Sequence, residues 1–176
     1  MRSAAYEDLS NEDVQKGRAS IAVPPTNRPL HDYVPFYFGF KTPMVAWNQA
    51  HNEEIVYLAA PLDVLRLSGV VITDGNARSG ATQFREFRSV QDLAILDVKT
   101  IKGVKYGQDR ELKRRKQAEI LIPDQLPVKW IQYAVSFSEA AQGKVVAILD
   151  KFDIKIPVHV NPGWFFGTGW KPRSGS

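Results

Sequence analysis

The chain has 176 residues, no cysteine, and 23 Lys/Arg against 19 Asp/Glu, a net charge of +4. With 44% hydrophobic and 24% charged residues it has the balance of a globular protein, and its length fits one domain with one core. The missing cysteines exclude disulfides, thiol nucleophiles and zinc–thiolate sites, and three histidines leave little for a metal. No apolar run suffices for a membrane span, and the opening MRSAAYEDLSNEDVQK has no secretory apolar core, so a cytoplasmic protein is expected.

In chain order, Tyr6 to Lys16 reads as a short helix, with Gly17 weakening its end. Residues 20–30, SIAVPPTNRPL, carry three prolines and read as loop. HDYVPFYFGF, His31 to Phe40, reads as a strand that Pro35 confines to an edge or bulge. Glu54 to Ala60 is a further strand, Asp63 to Leu67 a helical turn, and Val70 to Ile72 a short β-branched strand. The latter runs into Thr73-Asp74-Gly75-Asn76, which is turn chemistry. Phe84, Phe87, Val90, Leu93 and Ala94 stand at helical spacing and predict a helix over Thr82 to Leu96. Residues 97–110 have no period and read as a mobile loop, followed by the basic RELKRRK of Arg110 to Lys116. Ala118 to Ile122 and Trp130 to Phe137 read as strands, Glu139 to Phe152 as a helix, and Ile154 to Val160 as a last strand. Short strands mixed with helices, without regular βαβ spacing, predict an α+β fold.

The charge is uneven. Arg78 to Lys116 hold eleven Lys/Arg and five Asp/Glu, a net of +6, which leaves the rest of the chain at −2. Such a segment fits a polyanion-facing surface or, more blandly, a solvated helical face. No Walker loop, GxGxxG, HExxH, GxSxG or zinc-ligand spacing is present. What remains is Glu119, which opens an apolar strand directly after the basic run in RRKQAEILIPD. A fixed carboxylate there would hold a sugar hydroxyl and stabilise an oxocarbenium-like centre. It would equally be a surface group paired with Arg115 or Lys116. Arg18 fits an anion clamp or a solvated helix end, and Asn76 a ligand contact or a plain turn residue. Tyr33, Phe36, Tyr37 and Phe38 fit ring stacking or core packing. Tyr106 and Trp47 fit base stacking or packing.

Four collinear blocks carry a resemblance: VQKGRASIAVP, LHDYVPFYFGFKTPM, TDGNA with Thr82-x-Phe84, and RRKQAEILIP. With the later WIQYAV and NPGWFF they resemble the DarT family of DNA ADP-ribosyltransferase toxins over roughly residues 4 to 166. The resemblance implies an ADP-ribosyltransferase-like split β-sheet with surrounding helices, one domain over 1–166 and a flexible tail over 167–176. It implies transfer of ADP-ribose from NAD to a base in single-stranded DNA, with NAD consumed as substrate, no cofactor and no metal. It implies a toxin whose partner is a macrodomain antitoxin. Glu119 and Arg18 are then catalytic, and Arg18, Tyr37 and Asn76 bind NAD. The segment from Lys99 to Lys116 becomes the substrate-recognition loop. DNA contacts are expected from Arg78, Lys105, Arg110, Lys113, Arg114, Arg115 and Lys116. The family's usual opening, of the form YHITHIDNLxxIL with an NAD-binding histidine, has no counterpart here. That departure implies an alternative, a shortened binding domain of the same fold for nucleic acid or NAD derivatives.

Overall fold

A computed structural model of the chain describes residues 12–104 and 107–167. The elements in order are α1 (Glu12–Ala19), β1 (Ala22–Val23), β2 (Arg28–Pro29), β3 (Tyr33–Tyr37), α2 (Pro43–Trp47), β4 (Tyr57–Ala59), β5 (Val71–Thr73), β6 (Phe84–Glu86), α3 (Val98–Lys102), α4 (Arg110–Lys116), β7 (Glu119–Pro123), β8 (Tyr133–Ser136), α5 (Glu139–Lys151) and β9 (Val158–Val160). Short 3₁₀ turns, among them Leu30–Asp32, Leu62–Arg66 and Val90–Ile95, join them. The strands form a four-stranded sheet in the order β3-β7-β5-β6, a three-stranded sheet β4-β8-β9, and the small ribbon β1-β2. This is the α+β architecture expected of the chain.

The larger sheet is antiparallel throughout, with Tyr33 opposite Pro123, Pro35 opposite Leu121 and Tyr37 opposite Glu119. Its centre is β7, whose EILIP is buried from Glu119 to Ile122 because strands flank it on both sides and packed layers cover both faces. Side chains alternate between those faces. Tyr33, Val71 and Leu121 point to one and pack with Val23, Leu30 and Ala77. Ile72, Ile120 and Ile122 point to the other and pack with Val64, Leu65 and Val70. Glu119, Tyr37 and Thr73 share the pleat of Leu121, Pro35 and Val71, so they belong to the first face. Pro35 lies in an edge strand, where a missing N–H costs no inner ladder bond.

In the smaller sheet β8 pairs antiparallel to β4 and parallel to β9. The parallel pair needs a crossover, which α5 supplies. Ser138 caps α5 by accepting the Ala141 N–H at 3.2 Å.

Three expectations change. Thr82 to Leu96 is not a helix: Phe84–Glu86 pairs with Val71–Thr73 as β6, and the Ser89–Asp92 capping box then starts a 3₁₀ turn. Strand pairing over β5 outweighs a local helical period. Residues 97–110 are not all loop, because Asp97 accepts the Thr100 N–H at 3.0 Å and caps α3, which buries Ile101. Residues 20–30 contain the β1-β2 ribbon rather than loop alone. The first helix runs on through Gly17 to Ala19; the residues up to and including Asn11, like most of the tail, lie outside the described residues.

Candidate active site

The site grows from the mouth of β7. Thr73, at the end of β5, accepts the Glu119 N–H on its hydroxyl at 2.9 Å and donates that hydroxyl to the Gly75 carbonyl at 2.6 Å. One buried threonine thereby fixes the start of β7 and the start of the Asp74–Ala77 turn. The turn then comes back over the carboxylate, and the Ala77 N–H donates to Glu119 Oε1 at 2.9 Å. Glu119 is 4% exposed. It pairs with neither Arg115 nor Lys116, so the surface-pair alternative is set aside.

Burial pushes the Glu119 carboxyl up to about 7, against the opposing pull of the Ala77 N–H and the Arg18 cation. Arg18 closes the same space from α1. Its Nη2 donates to the carbonyls of Leu30 at 3.0 Å and Tyr33 at 3.3 Å, which aims the guanidinium past the start of β3. Burial lowers its pKa, while the charges of Glu119 and Tyr37 act to raise it. Tyr37 is pushed up to about 12, chiefly by burial and then by Glu119, so its hydroxyl stays protonated at neutral pH. Glu119, Arg18 and Tyr37, far apart in the chain, thus meet in one electrostatic unit on the first face of the sheet. Such a unit holds a carboxylate poised between its two forms, a fixed cation and a neutral hydroxyl donor.

Asn76 stands beside this unit with its amide already committed. Its Nδ2 donates to Gln117 Oε1 at 3.1 Å and its Oδ1 accepts the Arg78 N–H at 2.8 Å. It shapes the turn and at the same time borders the open space beside it. Beyond it lies an open cleft of about 430 Å³ lined by Asn76, Arg78, Ser79, Arg110, Lys113, Arg114 and Gln117.

The basic segment does not behave as one surface. Arg78 and Arg110 are exposed, and Lys113 joins them at the cleft. Arg115 lies outside that lining and spends its guanidinium on Glu111 at 2.7 Å and Asp97 at 3.4 Å. Two expected DNA contacts are largely buried and already engaged instead, Arg114 at the edge of the cleft and Lys116 beneath it. Arg114 is 9% exposed and holds Asp74 and Glu111. Lys116 is 2% exposed, with its ammonium on the Ile101 carbonyl, and burial lowers it to about 8. Lys116 meets a phosphate only by leaving the Ile101 carbonyl, and the Arg114 guanidinium is already taken by two carboxylates. Lys105 and Tyr106 fall outside the described residues. Tyr33, Phe36 and Phe38 pack in the core, which leaves Tyr37 as the site aromatic of its strand, whereas Trp47 is 83% exposed. Among the described residues no group of His, Asp and Glu is placed to hold a metal ion.

The family model described as ssDNA thymidine ADP-ribosyltransferase, DarT, matches residues 1–166. The chain belongs to the DarT family. Membership makes it a DNA ADP-ribosyltransferase. A DNA ADP-ribosyl transferase of Thermus sp. (strain 2.9) is 28% identical over 174 residues, covering 94% of this chain and 81% of that one. A structure of Thermus sp. 2.9 DarT with ADP-ribosylated ssDNA superposes with a TM-score of 0.80 at 27% identity, over 91% of this chain and 81% of that chain. Its complex with NAD+ gives 0.74 at 28% identity, over 85% and 80%. A DNA ADP-ribosyl transferase–DNA ADP-ribosyl glycohydrolase fusion of Thermosipho africanus is 28% identical over 145 residues, 80% of this chain and 36% of that protein.

Scaffold residues of this DarT site escaped the reading of the sequence. Ala77 acts through its backbone, which leaves no side-chain signature. Thr73 and Asp74 were visible only as turn residues. The Arg114–Asp74 pair spans 40 residues and has no local signal.

Proposed function

We propose that this DarT-family chain transfers ADP-ribose from NAD to thymidine in single-stranded DNA, with Glu119 and Arg18 as the catalytic pair. The observation that carries the reading is the buried Glu119 carboxylate, held by the Ala77 N–H and faced by Arg18 and Tyr37. The bond that breaks joins the nicotinamide nitrogen to C1′ of its ribose, and the charge that develops is an oxocarbenium. An ionised Glu119 stabilises that cation and accepts a hydrogen bond from the ribose 2′-hydroxyl. Arg18 supports the anionic part of the dinucleotide, and the Tyr37 ring borders the nicotinamide. The new bond forms between C1′ and a ring nitrogen of the base, whose proton passes to a basic group such as Glu119.

The cleft rim of Arg78, Arg110 and Lys113 is suited to the DNA backbone, because phosphate contacts position a strand and account for most of its salt dependence. The acceptor base is unstacked and presented singly, as in other enzymes that act on a base. The Thermosipho fusion joins a transferase to a glycohydrolase, which supports a partner that removes the mark, here a macrodomain antitoxin to this toxin. No helix among the described residues is long and apolar enough to cross a membrane, in keeping with a role beside DNA in the cytoplasm.

The test is incubation of the protein with labelled NAD and single-stranded oligonucleotides that contain or lack thymidine. Label on thymidine-containing strands, lost in Glu119→Ala, supports the reading. Salt-sensitive DNA binding without nicotinamide release would instead identify a non-catalytic binding domain of the same fold.

A further inference from the structure

Arg114 is the most heavily engaged charged side chain beside the site, and the transfer chemistry above makes no use of it. Its Nη1 and Nη2 grip the Asp74 carboxylate at 2.7 and 3.0 Å. Its Nε and Nη2 grip Glu111 at 2.8 Å each. Nη1 also donates to Thr82 Oγ1 at 3.2 Å. The same residue acts through its main chain, since its carbonyl accepts the Asn76 N–H at 3.0 Å. Thr82 then closes the ring by donating to the Asn76 carbonyl at 2.6 Å.

Two neighbours of Gly75 are therefore tied to one arginine, Asp74 by its side chain and Asn76 by its backbone. Gly75 lies so close that a Cβ there would stand 2.4 Å from Arg114 Nη1 and 2.9 Å from the Arg114 carbonyl. The next residue after this clamped triplet is Ala77, whose N–H meets Glu119 Oε1. A planar guanidinium with five donors in a rigid fork fixes a loop in a way that an ammonium does not.

We propose that Arg114 is a positioning residue: by clamping Asp74, Gly75 and Asn76 it aims the Ala77 amide at the Glu119 carboxylate. The inference rests on Glu119 being the reacting carboxylate. It differs from a general stabilising role for a buried ion pair because it requires an effect on Glu119 itself. The Ala77 N–H and the Arg18 cation hold the Glu119 carboxyl down against its burial. The link the structure shows from Arg114 to Glu119 runs through the turn, by way of Asp74, Asn76 and the Ala77 N–H.

The experiment follows the Glu119 carboxyl by ¹³C NMR titration in the wild-type chain and in Arg114→Lys, Asp74→Asn and Thr82→Val, alongside transfer kinetics and melting temperature. A loosened turn withdraws the Ala77 N–H, so the Glu119 midpoint moves upward. Asp74→Asn is the sharpest case: loss of a nearby anion alone would lower the midpoint, whereas positioning raises it. The kcat falls about tenfold or more while KM for NAD stays within about twofold, as expected for a lost preorganised donor. Thr82→Val removes only the closing hydroxyl and gives a smaller shift in the same direction, which keeps the test open should Arg114→Lys fold poorly. Folded variants with an unmoved midpoint, or kcat lost only in proportion to the unfolded fraction, would overturn the proposal. A wild-type chain that transfers nothing yet shows the upward shifts would sink the transferase reading and leave the positioning intact.

Discussion

Tyr37 and Glu119 stand directly opposite each other across the β3–β7 ladder. Cross-strand partners in an antiparallel pair project on the same face and lie close enough to interact. The pairing places a hydroxyl that burial holds in its neutral form beside a carboxyl that burial has raised to about 7. The two groups therefore titrate far apart, and only Glu119 changes charge near neutral pH.

That separation sets a pH dependence. If, as proposed, the ionised form of Glu119 stabilises the developing cation, kcat/KM for NAD should rise with pH through a single ionisation near 7. Stopped assays across pH 5–9 measure it. A flat profile in the wild-type chain would contradict the role of Glu119. Glu119→Gln should remove the ionisation along with most of the activity.

The same carboxyl affects stability with the opposite sense. Its folded value lies above the unfolded one, so its neutral form favours the fold; that contribution is complete below about 4.5 and lost as pH rises through about 7. At pH 8 the wild-type chain holds a buried anion. Glu119→Gln, whose carbonyl can still accept the Ala77 N–H, should then be the more stable protein, by up to about 3 kcal/mol at that pH. The difference should shrink toward pH 5. Denaturant melts at the two pH values give the comparison.

Beside the catalytic part proposed for it, Arg18 has a mechanical one. Removing its guanidinium strips donors from the carbonyls of Leu30 and Tyr33. Arg18→Met should cost about 1–3 kcal/mol of stability, the usual penalty for an abandoned buried acceptor, in addition to abolishing transfer. Arg18→Lys should recover stability in part and little activity. Equal recovery of both would show that charge alone suffices.

Gly75→Ala tests how tightly the turn is packed. The added Cβ would meet Arg114 at 2.4 Å, and a backbone oxygen limits the room to yield. Overpacking of this kind costs about 1–3 kcal/mol. Thermal melting should show the loss, and transfer should fall further than the folded fraction explains. Gly80, with nothing within 4 Å of its ideal Cβ, is the matched control.

The basic segment should divide by function in a salt titration of single-stranded DNA binding. Arg110→Ala and Lys113→Ala should each flatten the dependence of log K on log salt, by about one unit or less for each phosphate the side chain neutralises. Arg115→Ala, whose guanidinium is taken by Glu111 and Asp97, should change it little. Lys116→Met should leave the slope alone and alter stability, because its ammonium lies under the fold. A slope change from Lys116→Met as large as that from Lys113→Ala would overturn this division.

The sequence made the strands around Glu119 legible because β-branched runs and prolines bound them, and it made the edge position of β3 legible through Pro35. Collinear blocks brought Glu119, Arg18 and Tyr37 together before any geometry. Charge misled where it was densest. Four consecutive residues, Lys113 to Lys116, look alike in one dimension, yet on a helix they face different ways, and Arg114 and Lys116 turn inward to Asp74 and Ile101. Phe84 and Phe87 carried a helical period, yet their segment pairs with β5 in a register, Val71 with Glu86 to Thr73 with Phe84, that no window of a dozen residues contains whole. The contact that tunes Glu119 comes from a main-chain amide, which every residue but proline carries.

The central place of β7 also orders events during synthesis. β3 pairs with β7, and β5 reaches β3 only through it. A nascent chain that ends before residue 119 holds Arg18, Tyr37 and the TDGNA turn with no strand to gather them. Joining such distant segments is an entropically costly and late step in folding. The carboxylate and the strand that closes the sheet leave the ribosome together, so with Glu119 in the role proposed for it no product that stops short of them can be an active enzyme. For a protein that marks DNA, competence arrives only once every strand of the large sheet exists.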